Sequence, residues 1–474
     1  MRAAADGEVY PILDQANAQV TGLTHHDKVE RPIDTLRARL LQKLTPVRLN
    51  LPDALDVAAE NSREFQRQKE QLYLVGLTLT QQDWNFRLHY SDTADATASG
   101  VGDDTASATL RNSLQASQTT TAGTRIVAGF VNTFLRSLTS AQDGKWNPSS
   151  ILSLTLTQPL LRGFGERIVR EPLTQAERNV IYQVRDYERF RTTFAVSITS
   201  SYLRAAQQAE DLKAEEANWK SLTKNRELIE AQVPAGRKTA IDLGRARQDE
   251  LSAEDRYVTA KARLQTLLDS FKITLGIPTD AVVELDGREL VRLRAEGIEE
   301  IDLDEQGAIH LALLRRLDFR NTVEDAEDAC RRVWIAEDAL RSRLDFTSAI
   351  SVPTERNKPF VFQWDKVSWS AGFSLQLALD KLPERNAFRS ALIDMDVFLR
   401  AKEQLEDQIK QAVRDDQRTL RRALQSHKIQ TMALAIAQRR VDGMPDLYAS
   451  GRATTLDVLD THARVPLGTH PMLA

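Results

Sequence analysis

Between about Thr174 and Gln232 the apolar positions Val184, Tyr187, Phe194, Ile198, Ala205, Ala209, Leu212 and Trp219 recur at intervals built from threes and fours, with Arg, Glu, Gln and Lys between them. This spacing predicts a single helix of roughly 80–90 Å at 1.5 Å per residue, longer than a compact domain uses. A second stripe runs from about Ala387 to Val441 on Met395, Phe398, Leu405, Ile409, Ala412, Leu420, Ala423, Leu434 and Val441. Shorter helical patterns cover Pro52–Gln82, Ala240–Leu275 and Leu303–Arg341. Stripes of this kind are the seams of coiled-coil packing, so they read as core and not as cofactor positions.

A period of two interrupts these helices in four places. Val367, Trp369, Ala371, Phe373, Leu375, Leu377 and Leu379 alternate with Ser368, Ser370, Gly372, Ser374, Gln376 and Ala378. Leu152, Leu154 and Leu156 alternate with Ser153, Thr155 and Thr157; Trp84, Phe86, Leu88 and Tyr90 alternate with Asn85, Arg87 and His89; Leu344, Phe346, Ile350 and Val352 form a less regular fourth run. About 9–11 alternating residues suffice for a barrel strand to cross a bilayer. For any one strand a soluble, half-buried sheet is the commoner explanation, but four such strands wedged between very long helices favour the barrel. The Ser-, Thr-, Ala-, Gly- and Asp-rich stretch Thr93–Pro148 reads as a long loop, with room for an extra hairpin near Ala106–Gln118 and Thr124–Leu135. Gly276–Ile301 reads as a linker with a short strand at Ala281–Leu285.

One phrase occurs twice: Ala235-Gly236-Arg237-Lys238-Thr239-Ala240-Ile241-Asp242-Leu243 and Ser450-Gly451-Arg452-Ala453-Thr454-Thr455-Leu456-Asp457-Val458. Each copy follows a long helical pattern, so the chain reads as two related halves with the same sharp helix reversal. Gly236 and Gly451 supply the positive φ that a reversal needs. The residue-level alternatives for Asp242 and Asp457 are a helix cap and a solvated carboxylate.

In this order the segments resemble the TolC-type outer-membrane efflux family. The likeness is carried by Leu154-Thr-Leu-Thr-Gln-Pro-Leu-Leu-Arg-Gly-Phe-Gly165, by Leu379-Asp-Lys-Leu-Pro-Glu-Arg-Asn-Ala387, by Leu51-Pro-Asp-Ala-Leu-Asp-Val-Ala-Ala-Glu-Asn61 and most specifically by Tyr448-Ala-Ser-Gly-Arg-Ala-Thr-Thr-Leu-Asp-Val-Leu-Asp460. It covers about Leu49 to Asp460. The resemblance implies a mixed α and β fold: very long helices forming an α-barrel tunnel, plus four antiparallel strands per chain in a trimeric, twelve-stranded transmembrane β-barrel. It divides the chain into an N-terminal extension (1–48), a first structural repeat (49–275), a linker (276–302), a second repeat (303–460) and an atypical tail (461–474). It places Asp457 and Asp460 on the inner wall at the periplasmic tip, as rings of carboxylates that bind cations. It pairs Tyr448 with Asp242 in the closed state, with a basic link to the same turn. The family's bridging arginine stands two residues after the glycine, where this chain has Ala453; Arg452 is one step nearer. The implied partners are two further copies of the chain, outer-membrane lipid, a periplasmic adaptor and an inner-membrane pump. The implied role is a passive conduit of a tripartite efflux or type I secretion system, not an enzyme.

Four strands cannot close a barrel alone, since eight is about the minimum, which agrees with an oligomer. The charge is −4, from 63 basic and 67 acidic residues, without the basic excess of a nucleic-acid binder. The lone cysteine, Cys330, excludes an internal disulfide framework. The seven histidines are scattered, and adjacent His25-His26 is a poor chelating spacing. There is no phosphate loop, His-Glu-x-x-His or nucleophile elbow, and Gly163-Phe-Gly165 reads as an elbow rather than a dinucleotide fingerprint. No cofactor or metal is expected. No run of about 18 apolar residues predicts a transmembrane helix. Met1–Gln15 lacks a signal core, and Thr461–Ala474, with Pro466, Gly468 and Pro471, cannot supply the return helix expected beyond Asp457. The expectation is an outer-membrane protein whose signal lies upstream and whose second half is truncated. The rivals are a periplasmic adaptor, a soluble coiled-coil scaffold and a non-functional truncated family member.

Overall fold

The computed structural model describes residues 2–24, 28–42, 46–101, 105–138, 145–297, 304–355 and 357–450. In chain order it contains α1 (Arg2–Thr21), α2 (Leu36–Gln42), β1 (Val47–Leu49), α3 (Leu51–Asn61), α4 (Arg63–Trp84), β2 (His89–Val101), β3 (Thr105–Thr119), β4 (Arg125–Ser137) and β5 (Asn147–Pro159). There follow α5 (Glu166–Val169), α6 (Glu171–Gln232), α7 (Ala240–Leu275), β6 (Val283–Leu285), α8 (Arg288–Glu296), α9 (Glu305–Arg315), α10 (Leu317–Ala339), β7 (Arg343–Pro353), β8 (Ser368–Gln376) and α11 (Leu382–Ala449). The two long periodic stretches are thus single helices of 62 and 68 residues, and α7 has the bounds its pattern predicts.

Two expected helices are each divided. Pro52–Gln82 breaks at Ser62 (φ −62°, ψ 130°) into α3 and α4, and Leu303–Arg341 breaks at Arg316 (φ −67°, ψ 121°) into α9 and α10. Neither site carries Gly or Pro. At the first break the cause is tertiary: the Asn61 carbonyl is seated against Gly276, where an added Cβ would lie 2.2 Å from its oxygen. The Asn61 side chain also accepts from the Arg37 N–H at 3.0 Å.

The chain forms two compact units. The first comprises 1–26, 71–186 and 316–406, and its centre is a six-stranded sheet of order β2-β3-β4-β5-β7-β8, antiparallel throughout. This corrects the expectation of four strands per chain: the hairpin anticipated inside the Thr93–Pro148 loop is β3–β4, fully part of the sheet. The first strand is also displaced from Trp84–Tyr90, because α4 continues to Trp84 and a turn follows (Arg87 N–H to Trp84 O, 3.0 Å) before β2 begins at His89. Leu377 and Leu379, expected in the last strand, lie beyond its end. The N-terminal α1, which weak amphipathicity hid, buries Val9, Leu13 and Ala16. It lies so close to α4 that a Cβ on Gly76 would come within 2.7 Å of Val9 Cγ1.

From strand to helix the chain passes an elbow in which Gly163 (φ 78°) and Gly165 (φ 99°) adopt conformations that favour glycine. The elbow is hydrogen-bonded: Gly163 N–H donates to the buried Asp338 carboxylate at 2.7 Å, Leu160 N–H to Leu344 O at 2.7 Å, and Lys381 Nζ to Leu340 O at 2.9 Å.

The second unit comprises 27–70, 187–315 and the chain from 407 onward. Here α6 and α7 form a hairpin. Ala246, Ala253 and Ala260, one heptad apart, are buried and let the helices approach closely. Arg226–Glu250 (2.7 Å), Arg247–Glu230 (3.2 Å), Arg256–Glu215 (3.5 Å) and a stacked Trp219–Tyr257 pair lace the two together. At the far end of α7, β1 and β6 pair in parallel. Completely buried Tyr202 of α6 ties them through its hydroxyl, which bonds the Leu49 (3.2 Å) and Asp286 (3.0 Å) carbonyl oxygens. The linker expected over 276–301 therefore holds β6, within the anticipated strand, and also α8.

The Asp286 carboxylate, almost fully buried, accepts from Arg288 Nε (2.9 Å) and Nη2 (2.6 Å) and from the Arg288 N–H (3.1 Å), with Arg48 at 3.4 Å. Hydrogen bonds from Arg288 hold this carboxyl well below the ordinary carboxylate range. A depressed folded-state pKa stabilises the fold above the unfolded value of about 3.9, and the contribution fades as pH falls below it. Asp286→Asn is therefore expected to melt at a lower temperature than the parent at neutral pH, with the gap closing below about pH 4. Thermal melts at stepped pH check this, and a gap that persists unchanged in acid contradicts it.

Candidate functional site

In the six-stranded sheet the register puts chemically opposite residues on opposite faces. Cross-strand partners Leu114↔Phe130, Phe130↔Leu152, Leu154↔Ile350, Ile350↔Trp369 and Phe346↔Phe373 align on one face. The other face carries Thr93↔Ser113, Thr109, Ser153↔Ser351 and Ser351↔Ser368. β4 alone is apolar on both faces, with Val127 and Val131 on the polar side. Much of the apolar face is uncovered: Trp369 is 76% and Phe373 71% exposed, whereas Val352 on the same face is buried. Polar residues on it pair with each other, Asn112 donating to Asp92 (2.7 Å) and Ser150 to Asn132. Phe360 and Phe362, from the β7–β8 connection, approach Phe130 with ring centroids 6.3 and 6.2 Å away. β2 and β8 are the two edges, each with one side of its backbone ladder unpaired within the sheet.

The reversal between α6 and α7 is as expected at Gly236, which has φ 68°. Its N–H bonds Val233 O (3.0 Å), and Arg237 N–H bonds Gln232 O (3.1 Å). Thr239 then caps α7. Its hydroxyl accepts from Asp242 N–H (3.1 Å), while its own N–H (3.0 Å) and hydroxyl (2.8 Å) donate to Asp242 Oδ2. Asp242 is therefore the reciprocal member of a capping box. The backbone hydrogen bond from Thr239, then the side-chain one, lower its pKa, which keeps it ionised. Tyr448 falls in the last turn of α11. Gly451, Arg452, Asp457 and Asp460 lie outside the described residues, as do His25, His26 and the tail Thr461–Ala474.

An ionic cluster that the sequence reading passed over joins α6 to α10. Asp328 is 1% exposed, and its carboxylate meets Arg178 Nε (2.7 Å) and Arg331 Nη1 (2.8 Å) and accepts from Gln175 Nε2 (2.9 Å) and Tyr182 Oη (2.8 Å). Around it Arg185 pairs with Glu324 (2.7 Å) and Arg331 with Glu171 (2.9 Å). Burial, then the Asp328 hydrogen bond, push the Tyr182 phenol up, so it is a permanent donor. The signal was present in the sequence: Arg178, Tyr182 and Arg185 share one face of α6, and Glu324, Asp328 and Arg331 share one face of α10, at i, i+4, i+7. Charges on a long helix ordinarily lie on its solvated face, so the pattern alone does not distinguish a buried cluster.

No family model matches the chain, and no curated protein matches it. Solved structures do. The outer membrane protein VceC from the bacterial pathogen Vibrio cholerae aligns with a TM-score of 0.58 and 18% identity, over 87% of this chain and 89% of its own. The Campylobacter jejuni CmeC outer membrane channel aligns at 0.60 and 14%, over 87% and 79%. The open state of the Neisseria gonorrhoeae MtrE outer membrane channel aligns at 0.58 and 14%, over 87% and 82%. The chain thus has the fold of these outer-membrane channel proteins, with the long helices and antiparallel sheet expected from the resemblance.

The Asp328 cluster holds α10, which leads into β7, against the start of α6, which leaves β5. Asp328→Ala removes the buried acceptor between two part-buried guanidinium groups, which keep Glu324, Glu327 and Glu171 as partners, and is expected to destabilise by about 1.5–3 kcal/mol. Tyr182→Phe, which removes one neutral donor, is expected to cost about 1–2 kcal/mol. Denaturant titration of both variants provides the check; equal, near-zero effects would show the cluster to be dispensable.

Proposed function

We propose that the chain is one subunit of an outer-membrane channel, a passive conduit closed by several copies around a common pore. The observation that carries this reading is the sheet: one largely exposed face that is mostly apolar from β3 across to β8, a mostly polar face behind it, and two open edges. In water each large apolar side chain left exposed forgoes about 1.5–3 kcal/mol of burial. In hydrocarbon the same face is solvated, but unpaired edge groups cost several kcal/mol each. Closure with further copies satisfies both demands. All neighbours in the sheet are antiparallel and the strand number is even, so β8 of one copy meets β2 of the next in antiparallel sense, and head-to-tail addition closes a ring. With the family resemblance, this supports a trimer in the outer membrane of a Gram-negative-type bacterium.

On this reading the long helices continue as a tunnel, and the chain works with a periplasmic adaptor and an inner-membrane pump that supplies the energy. The recurrence of broken helix, strands and long helix, first from α3 to α7 and again from α9 to α11, supports two repeats over 49–275 and 303–460. The gate is assigned to the repeated turns. Asp242, ionised and oriented by its cap, is the acceptor for the Tyr448 hydroxyl in the closed state, with Arg452 as the basic link. Asp457 and Asp460 form carboxylate rings that bind cations.

The test is reconstitution of the full chain in lipid. A heat-modifiable oligomer that conducts across a planar bilayer is the expected result, and a soluble, non-conducting monomer overturns the reading. Asp457→Ala and Asp460→Ala are expected to relieve block by multivalent cations without abolishing conductance; block of parental strength in both removes the gate assignment.

A further inference from the structure

We infer that the β3–β4 hairpin is part of the membrane wall, so that three copies close an eighteen-stranded pore instead of a twelve-stranded one. The inference rests on the channel reading above and extends it to the bore of the pore and the cargo that fits.

Four observations place the hairpin in the wall. β2 is joined to the sheet through β3 alone, and β3 to β5 through β4. Lifting the hairpin out would leave β2 unpaired on both sides, which hydrocarbon does not tolerate. The two strands are also long enough, at 15 and 13 residues, against the 9–11 that a tilted strand needs. Their apolar side chains continue the face on either side of the Asn112↔Asn132 pair: Leu110 and Leu114, 45% and 48% exposed, stand opposite Phe134 and Phe130. Finally, the turn between them is fixed at the strand–helix elbow. Gly123 (φ 90°) is so near that a Cβ there would lie 3.1 Å from Gly163 O and 3.0 Å from Val169 Cγ2, and Thr124 Oγ1 bonds Gln158 Oε1. A tight turn at the helical end of the sheet is the arrangement of a barrel's periplasmic side.

The consequence is geometric. With strands about 4.8 Å apart and tilted by about 40°, twelve strands close at a backbone diameter of about 24 Å and eighteen at about 36 Å. Half again the diameter, walled largely by Ser and Thr, suits bulky hydrated solutes. Charge on the polar face is sparse and nearly balanced: Asp95 and Asp345 against Arg111, Arg125 and Arg343, with Asp95 directly opposite Arg111 and Asp345 2.7 Å from Arg343. Such a wall selects little by charge, which leaves discrimination to the helical end of the conduit.

Single cysteines introduced on a Cys330→Ser background test this in vesicles holding the full-length protein. Gln115→Cys and Thr133→Cys on the polar face are expected to react with a charged, membrane-impermeant maleimide, as is Ser374→Cys in β8. Leu114→Cys and Phe130→Cys are expected to react about tenfold more slowly or worse, like Phe373→Cys in β8, because a thiol in lipid does not ionise. The native mass of the detergent-extracted oligomer is expected to equal three chains. Equal labelling of both faces of β3 and β4, with alternation kept in β8, overturns the eighteen-stranded wall but leaves the channel. A mass of two chains overturns it also, since two copies give twelve strands. Loss of alternation in β8 as well removes the channel reading and this inference with it.

Discussion

Backbone hydrogen bonding governs the sheet and, through it, everything else in this protein. In the six-stranded sheet β3, β4, β5 and β7 are each paired on both sides, whereas β2 and β8 are paired on one. An open edge is a template for another strand. Natural sheets blunt such edges with charge, proline or bulges, yet β8, with Ser368, Trp369, Ser370, Ala371, Gly372 and Phe373, carries none of these. Its chemistry is that of a strand awaiting a partner of the same kind. The apolar face adds a second demand, because aromatic rings as exposed as Trp369 and Phe373 are not left facing water in a monomer. On the channel reading proposed above, both demands are met by one arrangement, a closed wall of repeated copies in lipid.

The helical unit meets a different constraint. Helices as long as α6 and α7 gain little from propensity and are held by their seam. Buried alanines at heptad spacing give that seam little apolar area per contact but permit close approach, and the cross-helix Arg–Glu pairs fix the register along its length. Solvent-accessible ion pairs of this kind, part-exposed at Arg226–Glu250 and more open at Arg247–Glu230, are individually weak, about 0–1 kcal/mol, so they specify alignment more than stability. The Asp328 cluster differs in being buried. It is satisfied by two guanidinium groups, an amide and a phenol, and it stands where strand-bearing segments leave and return.

Much of this was legible in the sequence because it obeys simple periods. The long helices, α7 and the alternation of β5, β7 and β8 follow from spacing alone, and the β3–β4 hairpin was visible as a possibility inside a polar stretch. That stretch read as a loop because the small residues of β2, among them Ala94, Ala96 and Ala98, give its apolar face too little contrast. The breaks at Ser62 and Arg316 were invisible because neither carries a local breaker residue, and the first is set by the tertiary contact of Asn61 with Gly276. α1 was missed because three buried apolar positions, Val9, Leu13 and Ala16, are too few to stand out from a polar helix. The ionic cluster was overlooked for the converse reason, since charged residues on a helix are usually solvated and only the facing helix reveals that these are not.

Asp242 joins the local and the functional levels. As the third residue of α7 it completes a capping box with Thr239, which is sufficient reason for an aspartate there in any helical hairpin. The same hydrogen bonds that make it a cap also keep it ionised and hold its carboxylate in one orientation. A gate acceptor needs both properties, so the structural role does not compete with the proposed one. Both Thr239 donors use Oδ2, and a carboxylate has a second oxygen and several lone pairs to offer. A helix cap at a tight reversal is therefore a natural starting point for a latch: it supplies a fixed negative charge at a turn, to which a neighbouring phenol or guanidinium adds closure.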